Sequence, residues 1–387
     1  MIKTGLNAKM ENSHDLAVVY TPGVAAPCLA IKEEEDKSLE LTWRGNVVAV
    51  ISDGTRVLGL GDIGPAAAMP VMEGKSALYK RFGNIDAIPI VLNTKDKDEI
   101  VRTIRILEKS FAGINLEDFS SPKCYDIEDE LKATMNIPVF HDDQHGTAIA
   151  ALAAVLGALR LIKKGIGKAK VVMFGAGAAG TAIARLLLED GVKPENMTVL
   201  NSKGILYDDG RLNRVQKELA KQVNPENRQG TFADAVKGAD ILLATSAPAA
   251  FKEMHKEAIK TMAEKNVVFA MANPIPEMML SDAQELGVYV FGTGRSDMPN
   301  QVNNSSVFPG LFRGALDVRA RQINEPMKLA AAHALADLVS DEELKPEYVV
   351  VDVFDPRVPH AVAKASAKAA IESGVARVTE LPEQYKD

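Results

Sequence analysis

The stretch "AKVVMFGAGAAGTAIARLLLEDGV", residues 169–192, decides the fold. "KVVMF" reads as a strand running straight into Gly175, and "AGTAIARLLLED" reads as a helix closed by Gly191. Between them, Gly175-Ala176-Gly177-Ala178-Ala179-Gly180 matches G-x-G-x-x-G in its strand–turn–helix context. Glycines there permit a tight turn and let a pyrophosphate approach the backbone. The helix start then supplies free N–H groups and the positive end of its dipole. The stretch is read as the opening of a dinucleotide-binding α/β unit. A second literal match, "GLGDIG" (59–64), lacks that context. "PAAAMPVMEGK" follows it, and Pro65 and Pro70 are expected to break any long helix. No βαβ unit is expected there; the loop reads as a tight turn or a substrate or phosphate loop. About twenty residues past the fingerprint an acidic residue often meets the ribose hydroxyls. Asn201 stands at that position, with Ser202 and Lys203 next. Asn can bond a hydroxyl without repelling a 2′-phosphate, so NAD and NADP both stay open.

Working outward, "NVVAVIS" (46–52), "IDAIPIVL" (85–92), "FAGINL" (111–116) and "IPVF" (137–140) read as strands. "DKDEIVRTIRILEKSF" (96–111), "DIEDELKATMN" (126–136) and a long apolar segment 146–163 read as helices. This alternation predicts an α/β layer architecture. "KKGIGK" (163–168) is a basic, Gly-containing break, and a second α/β unit follows it. Its later strands fall in "GADILLATSAP" (238–248), "NVVFAMANPIPE" (266–277) and "GVYVFGTGRSD" (287–297). From Ser305 onward the pattern is mostly helical.

The 387 residues carry a net charge of −7, which argues against nucleic acid, since phosphate binding wants a basic face. A small anionic substrate needs only local positive charge. Two cysteines at no metal-like spacing fit a reducing cytoplasm. The start "MIKTGLNAKMENSHD" has no apolar core of a signal peptide. The longest apolar run, Ala148–Leu159, is too short to span a bilayer, so no membrane partner is expected.

"HDDQHGTA" (141–148) is nearly the zinc-protease pattern H-E-x-x-H. That pattern needs both histidines on one face inside a helix, and here the helical pattern is expected only after Gly146. Acidic pairs occur at two predicted strand ends, Glu117-Asp118 and Asp142-Asp143. Open α/β sheets place ligands there. Clustered carboxylates call for a hard divalent cation, Mg²⁺ or Mn²⁺ rather than zinc.

"YTPGVA" (20–25), "SDGTRVLGLGDIG" (52–64), "PVMEGKSALYK" (70–80), "INLEDF" (114–119), "FHDDQHGTA" (140–148), "GAGAAG" (175–180), "ANPIPE" (272–277) and "PNQVNNSSVFPG" (299–310) together resemble malic enzyme, in its short bacterial form. The resemblance covers nearly the whole chain, in order. It implies oxidative decarboxylation of L-malate to pyruvate and CO₂ with NAD(P)⁺ and Mg²⁺ or Mn²⁺. It makes Tyr20 the general acid, Lys75 the general base, and Glu117, Asp118 and Asp143 the metal ligands. Asp142 becomes a catalytic neighbour, and Arg56, Asn273 and Asn303 bind substrate. Read alone, Tyr20 also suits a turn-packing aromatic, Lys75 a solvated helix-start lysine, and Asn273-Pro274 a turn initiator. The expected fold is an N-terminal α/β substrate and metal domain (1–155) plus a doubly wound Rossmann domain (156–387). Its helical C-terminus is expected to pack back across the cleft. The resemblance further implies a homodimer. A base at Lys75 needs its pKa lowered, which burial beside a dication would do. Two alternatives stand beside it: a metal-dependent oxaloacetate decarboxylase on the same scaffold and, of a different class, a non-catalytic dinucleotide sensor.

Overall fold

The computed structural model describes residues 5, 6 and 8–386; Met1–Thr4, Asn7 and Asp387 lie outside them. The first residues of the start "MIKTGLNAKMENSHD", and with them the beginning of the expected 1–155 unit, and the last residue of the expected 156–387 unit therefore lie outside the described residues.

Three short helices lead in: α1 (Ser13–Val19), α2 (Ala25–Glu33) and α3 (Ser38–Leu41). Then β1 (Val47–Ser52), α4 (Pro65–Gly83), β2 (Asp86–Val91), α5 (Lys97–Leu107), β3 (Gly113–Leu116), α6 (Lys123–Thr134) and β4 (Val139–His141) build a four-stranded sheet of order β2-β1-β3-β4. All its pairings are parallel. Parallel strands are covered on both faces, which is why "VVAVIS" is buried along its whole length.

The chain crosses to the second sheet through α7 (Asp142–Ile162). There follow β5 (Val171–Phe174), α8 (Ala178–Glu189), β6 (Met197–Asn201), β7 (Gly204–Ile205), α9 (Arg214–Val223), α10 (Phe232–Val236), β8 (Ile241–Ala244), α11 (Glu253–Ile259), β9 (Val267–Ala270), α12 (Leu280–Glu285) and β10 (Val290–Thr293). The strand order is β10-β9-β8-β5-β6-β7, parallel except for β7. Growth reverses direction between β5 and β8, so a crevice opens where the fingerprint glycines lie. The C-terminal helices α13 (Phe308–Asp317), α14 (Glu325–Ala336) and α15 (Arg357–Glu372) pack on one another. They also return to the first unit. Phe308 and Phe312 lie 4.6 and 5.4 Å from the Tyr79 ring on α4, and Arg313 reaches Asn46 at 2.6 Å. The expected back-packing of the C-terminus is thus found.

Three expectations about elements need correction. Pro65 and Pro70 do not break the helix: α4 runs 19 residues with Pro70 inside it. Pro65 sits in the first turn, where a missing N–H costs nothing. Pro70 forfeits one bond near the start, and burial of Ala68, Met72, Ser76 and Tyr79 along one face outweighs that loss. Consequently β1–α4–β2 is a βαβ unit, contrary to the reading of "GLGDIG". The twelve residues between β1 and α4 still differ from a tight strand-to-helix turn. Finally, α7 begins at Asp142 rather than at Gly146, and its 21 residues contain the position 155/156. By length and composition alone α7 could cross a membrane, but it is mostly buried, packed against α8 and α14 as a core helix.

Candidate active site

Glu117 and Asp118 follow directly on β3. Neighbours on a regular strand point to opposite faces. Asp118 leaves the strand with φ +59, which lets both carboxylates turn toward the same place. Asp143 comes from the first turn of α7, and ligand oxygens of Glu117, Asp118 and Asp143 lie within 4.8 Å of one another. The Asp118 N–H donates to Asp143 Oδ2 at 2.8 Å. Burial above all, then the Asp143 charge, pushes the Asp118 carboxyl up to about 8. Burial also raises Glu117 well above the usual carboxylate range, against the opposing pull of Lys75. Asp118 Oδ2 and Asp142 Oδ1 are buried with no hydrogen-bond partner. Such crowding and unmet acceptor capacity fit a hard divalent cation.

Lys75, on α4, reaches the same centre. Its ammonium contacts Asp142, Glu117 Oε1 at 3.1 Å and Asn304 Oδ1 at 3.2 Å. It also lies 4.6 Å over the Phe308 ring. Burial alone would depress its pKa, but Asp142, Glu117 and Asp143 outweigh burial and raise it. Three carboxylates facing one ammonium work against the lowering that a base needs.

"HDDQH" divides its work residue by residue. Asp142 pairs with Lys75 and Asp143 joins the carboxylate triad. Gln144 and His145 turn the other way, onto Glu128 of α6. Glu128 accepts from Gln144 Nε2 at 3.1 Å, from His145 Nε2 at 2.9 Å, from the His141 backbone N–H at 3.2 Å and from Lys132 at 2.6 Å. Despite burial, these partners hold Glu128 well below the usual range. Burial presses His145 down to about 3, so its ring is neutral. Nδ1 then accepts from Lys328 at 3.0 Å while Nε2–H donates to Glu128. Both His145 nitrogens are engaged. Those of His141 are buried without partners, Nδ1 lying 3.8 Å from Asp143.

Across the cleft, the three fingerprint glycines divide the roles that a dinucleotide turn requires. Gly175 has φ +119, and a Cβ there would meet the Thr245 carbonyl at 2.7 Å. A Cβ on Gly180 would lie 1.8 Å from the Gly175 carbonyl, so close packing forbids one. Gly177 is exposed and faces open space, where a ligand can approach. Ala178 and Ala179 begin α8, and Ala176 is buried with its carbonyl accepting from Gln216. Asn201 ends β6, its Oδ1 accepting from the Lys203 N–H at 2.8 Å.

Asn273 and Asn303 converge on Gly294. A Cβ at Gly294 would lie 2.5 Å from Asn273 Nδ2, and Asn303 Nδ2 donates to the Gly294 carbonyl at 3.2 Å. The "GLGDIG" loop meets the same turn, because a Cβ on Gly59 would lie 2.8 Å from the Asn273 carbonyl. Arg56 donates its backbone N–H to Asp118, while its exposed guanidinium bonds the Leu58 carbonyl. Tyr20 stands apart: it is 66% exposed, at the end of α1, and neither α1 nor α2 buries a residue.

Sequence reading missed Asn304, which touches Lys75, and Asn115, which links Tyr79 (2.9 Å) to Glu117 (3.0 Å). It also missed Glu128. A signal existed there, since Glu128 interrupts the buried stripe Cys124–Ile127–Leu131 of α6.

Known proteins match nearly the whole chain. Residues 2–132 match the malic enzyme N-terminal domain, and residues 144–372 the malic enzyme NAD binding domain. A bifunctional malic/malolactic enzyme of Bacillus subtilis is 52% identical, covering 98% of this chain and 92% of the relative. An NAD-dependent malic enzyme of Geobacillus stearothermophilus is 49% identical over 98% of this chain and 79% of its own length. The crystal structure of malic enzyme from Pyrococcus horikoshii superimposes with a TM-score of 0.93 at 44% identity, covering 98% of this chain and 88% of that one.

Proposed function

The chain belongs to the malic enzyme family, and from that membership and the site's geometry we propose that it oxidatively decarboxylates L-malate to pyruvate and CO₂ with NAD(P)⁺ and Mg²⁺ or Mn²⁺. The observation that carries this reading is the triad Glu117, Asp118 and Asp143, the first two buried and the third half-buried, with Lys75 against it. These three carboxylates would hold the cation, whose Lewis acidity favours the alkoxide at C2 and then loss of CO₂ from the ketone.

Lys75 takes the hydroxyl proton of malate. It must be neutral to do so; a cation on the triad would offset the charges of Glu117 and Asp143, which help to raise its pKa, while Asp142, the largest of these influences, stays. Asp142 and Asn304 hold its amine in place. Asn273 and Asn303 border the substrate on the nucleotide side, and Arg56 offers a carboxylate its guanidinium. The Gly175–Gly180 turn would hold the dinucleotide, which would supply the acceptor for the C2 hydride. Asn201 carries no charge to exclude a 2′-phosphate, so both dinucleotides belong in the assay.

Tyr20 would protonate the enolate carbon. Its helices expose Leu16, Val18, Val19, Val24 and Leu29, an apolar surface that supports docking on a second copy of the chain. In this reading the enzyme is a homodimer and Tyr20 reaches its site through that contact.

The test is the initial rate with malate, comparing NAD⁺ with NADP⁺, with and without Mn²⁺. Malate-dependent NAD(P)H formation that needs the metal is expected, and full activity in EDTA would overturn the reading. Rapid CO₂ release from oxaloacetate without malate oxidation would indicate the decarboxylase instead.

A further inference from the structure

Glu277 closes the stretch "ANPIPE" and is 1% exposed. Both of its carboxylate oxygens are engaged, each by a different loop. Oε1 accepts from the Ser246 N–H at 2.6 Å and from Ser246 Oγ at 3.2 Å. Oε2 accepts from the Ala272 N–H at 3.0 Å. Ser246 lies just beyond β8 and Ala272 just beyond β9. One buried carboxylate therefore fastens together the loops at the carboxyl ends of two adjacent strands. Backbone bonds run alongside it, Ala249 N–H to Pro276 and Phe251 N–H to Glu277, both at 3.1 Å.

Each fastened loop leads to a different part of the cleft. Thr245, next to Ser246, is the group against which Gly175 and Gly180 pack. Asn273, next to Ala272, packs against Gly294 and against Gly59 of the first unit. We infer that Glu277 is a positioning residue that holds the nucleotide-side loop 245–248 and the substrate-side turn 272–274 in a single register. Relative placement of dinucleotide and substrate then depends on one side chain that touches neither. The inference rests on the proposed function for the identity of the two ligands.

The chemistry of the clamp makes the role specific. Two backbone N–H groups, one on each oxygen, demand an acceptor on both arms. Glutamine has the same shape but turns an NH₂ toward one N–H, donor against donor. Aspartate keeps both acceptors but is one methylene too short. E277Q, E277D and E277A should therefore all fail, with size-matched E277Q giving no rescue.

The experiment is steady-state kinetics of E277Q in the full chain, with NADH binding by fluorescence and Mn²⁺ binding by direct titration. KM for malate and for the dinucleotide are expected to rise together by tenfold or more, with Mn²⁺ affinity within twofold of wild type. A residue that merely supports the fold would instead lower the active fraction at unchanged KM, and that result overturns the inference. So does a wild-type KM for either ligand. If wild type itself does not oxidise malate, the proposed function has failed; NADH affinity of E277Q then decides the clamp separately, a tenfold weakening supporting it and an unchanged value overturning it. Should E277Q not fold, Ser246→Ala carries the test. It loses only the Oγ bond and should weaken NADH binding about threefold; no change overturns the inference.

Discussion

At the scale of single residues, the chemistry rests on how five consecutive side chains are dealt out. After His141, residues 142–145 begin a helix, so successive side chains leave its axis about 100° apart. Asp142 and Asp143 turn toward the cleft, whereas Gln144 and His145 turn toward Glu128. Asp143→Asn should abolish Mn²⁺-dependent turnover, and His145→Asn should cost less; a Mn²⁺ titration of both variants checks the order. Glu128 touches no substrate but holds the segment that presents Asp143. Glu128→Gln keeps the shape and loses acceptors, and should weaken Mn²⁺ binding, though by less than the roughly 10–100-fold typical of a group bonded directly to a ligand. An unchanged Mn²⁺ affinity would show that the segment needs no such anchor. The acidic pairs were legible because charge at a strand end stands out from an apolar run. Glu128, Asn115 and Asn304 were not, because each belongs to an ordinary polar pattern until another segment packs against it.

At the scale of elements, backbone contact decides what the glycines mean. "GLGDIG" and "GAGAAG" are the same string of glycine spacings, yet only the second is a tight strand-to-helix turn. In the first, Gly59 gives way to the Asn273–Pro274 turn of the other unit, and Gly64 precedes α4 with φ +80. Gly180→Ala would place a Cβ 1.8 Å from the Gly175 carbonyl and should raise the dinucleotide KM strongly. Gly157, in the middle of α7, does something different: a Cβ there would sit 2.0 Å from the Val349 carbonyl. Gly157→Ala should cost stability, about 1–3 kcal/mol as overpacking does, and denaturant titration would show it. Pro70 within α4 teaches the converse. Local propensity argued for a break, but the buried face of the helix carries more free energy than one lost hydrogen bond.

At the scale of the whole molecule, the arm bearing Tyr20 and the contacts that close the C-terminus matter most. If Tyr20 serves a second copy, Tyr20→Phe and Lys75→Ala are each inactive, but mixing them creates dimers with one intact site. Activity should recover toward about a quarter of wild type in a closed symmetric dimer. No recovery on mixing would place both groups in one chain. The C-terminal helices are joined to α8 by His333 on α14, whose Nε2 meets Asp190 at 2.6 Å. That bond raises the His333 pKa above its ordinary value, against partial burial. The sign follows from linkage: the stabilisation is full below the unfolded pKa and is lost as pH rises through the folded one. His333→Gln should therefore lower Tm more at pH 6 than at pH 9.

The sequence by itself determined the α/β architecture, the dinucleotide turn, the acidic strand ends and the family. The turn and the acidic strand ends are each written within a dozen or so residues, and the architecture and family in the order of such local stretches along the chain, where backbone preference and hydrophobic period act locally. Tertiary structure alone decided what meets what. Lys75, Glu117, Asp142 and Asn304 come from α4, the end of β3, α7 and the segment before α13, and no short-range rule links them. It also decided that a proline stays inside a helix, that a glutamate on α6 anchors Gln144 and His145, and that Tyr20 is left exposed. The physical reason is common to all three. Burial and hydrogen bonding are settled by neighbours in space, and those are fixed only when the two sheets and the returning helices have packed.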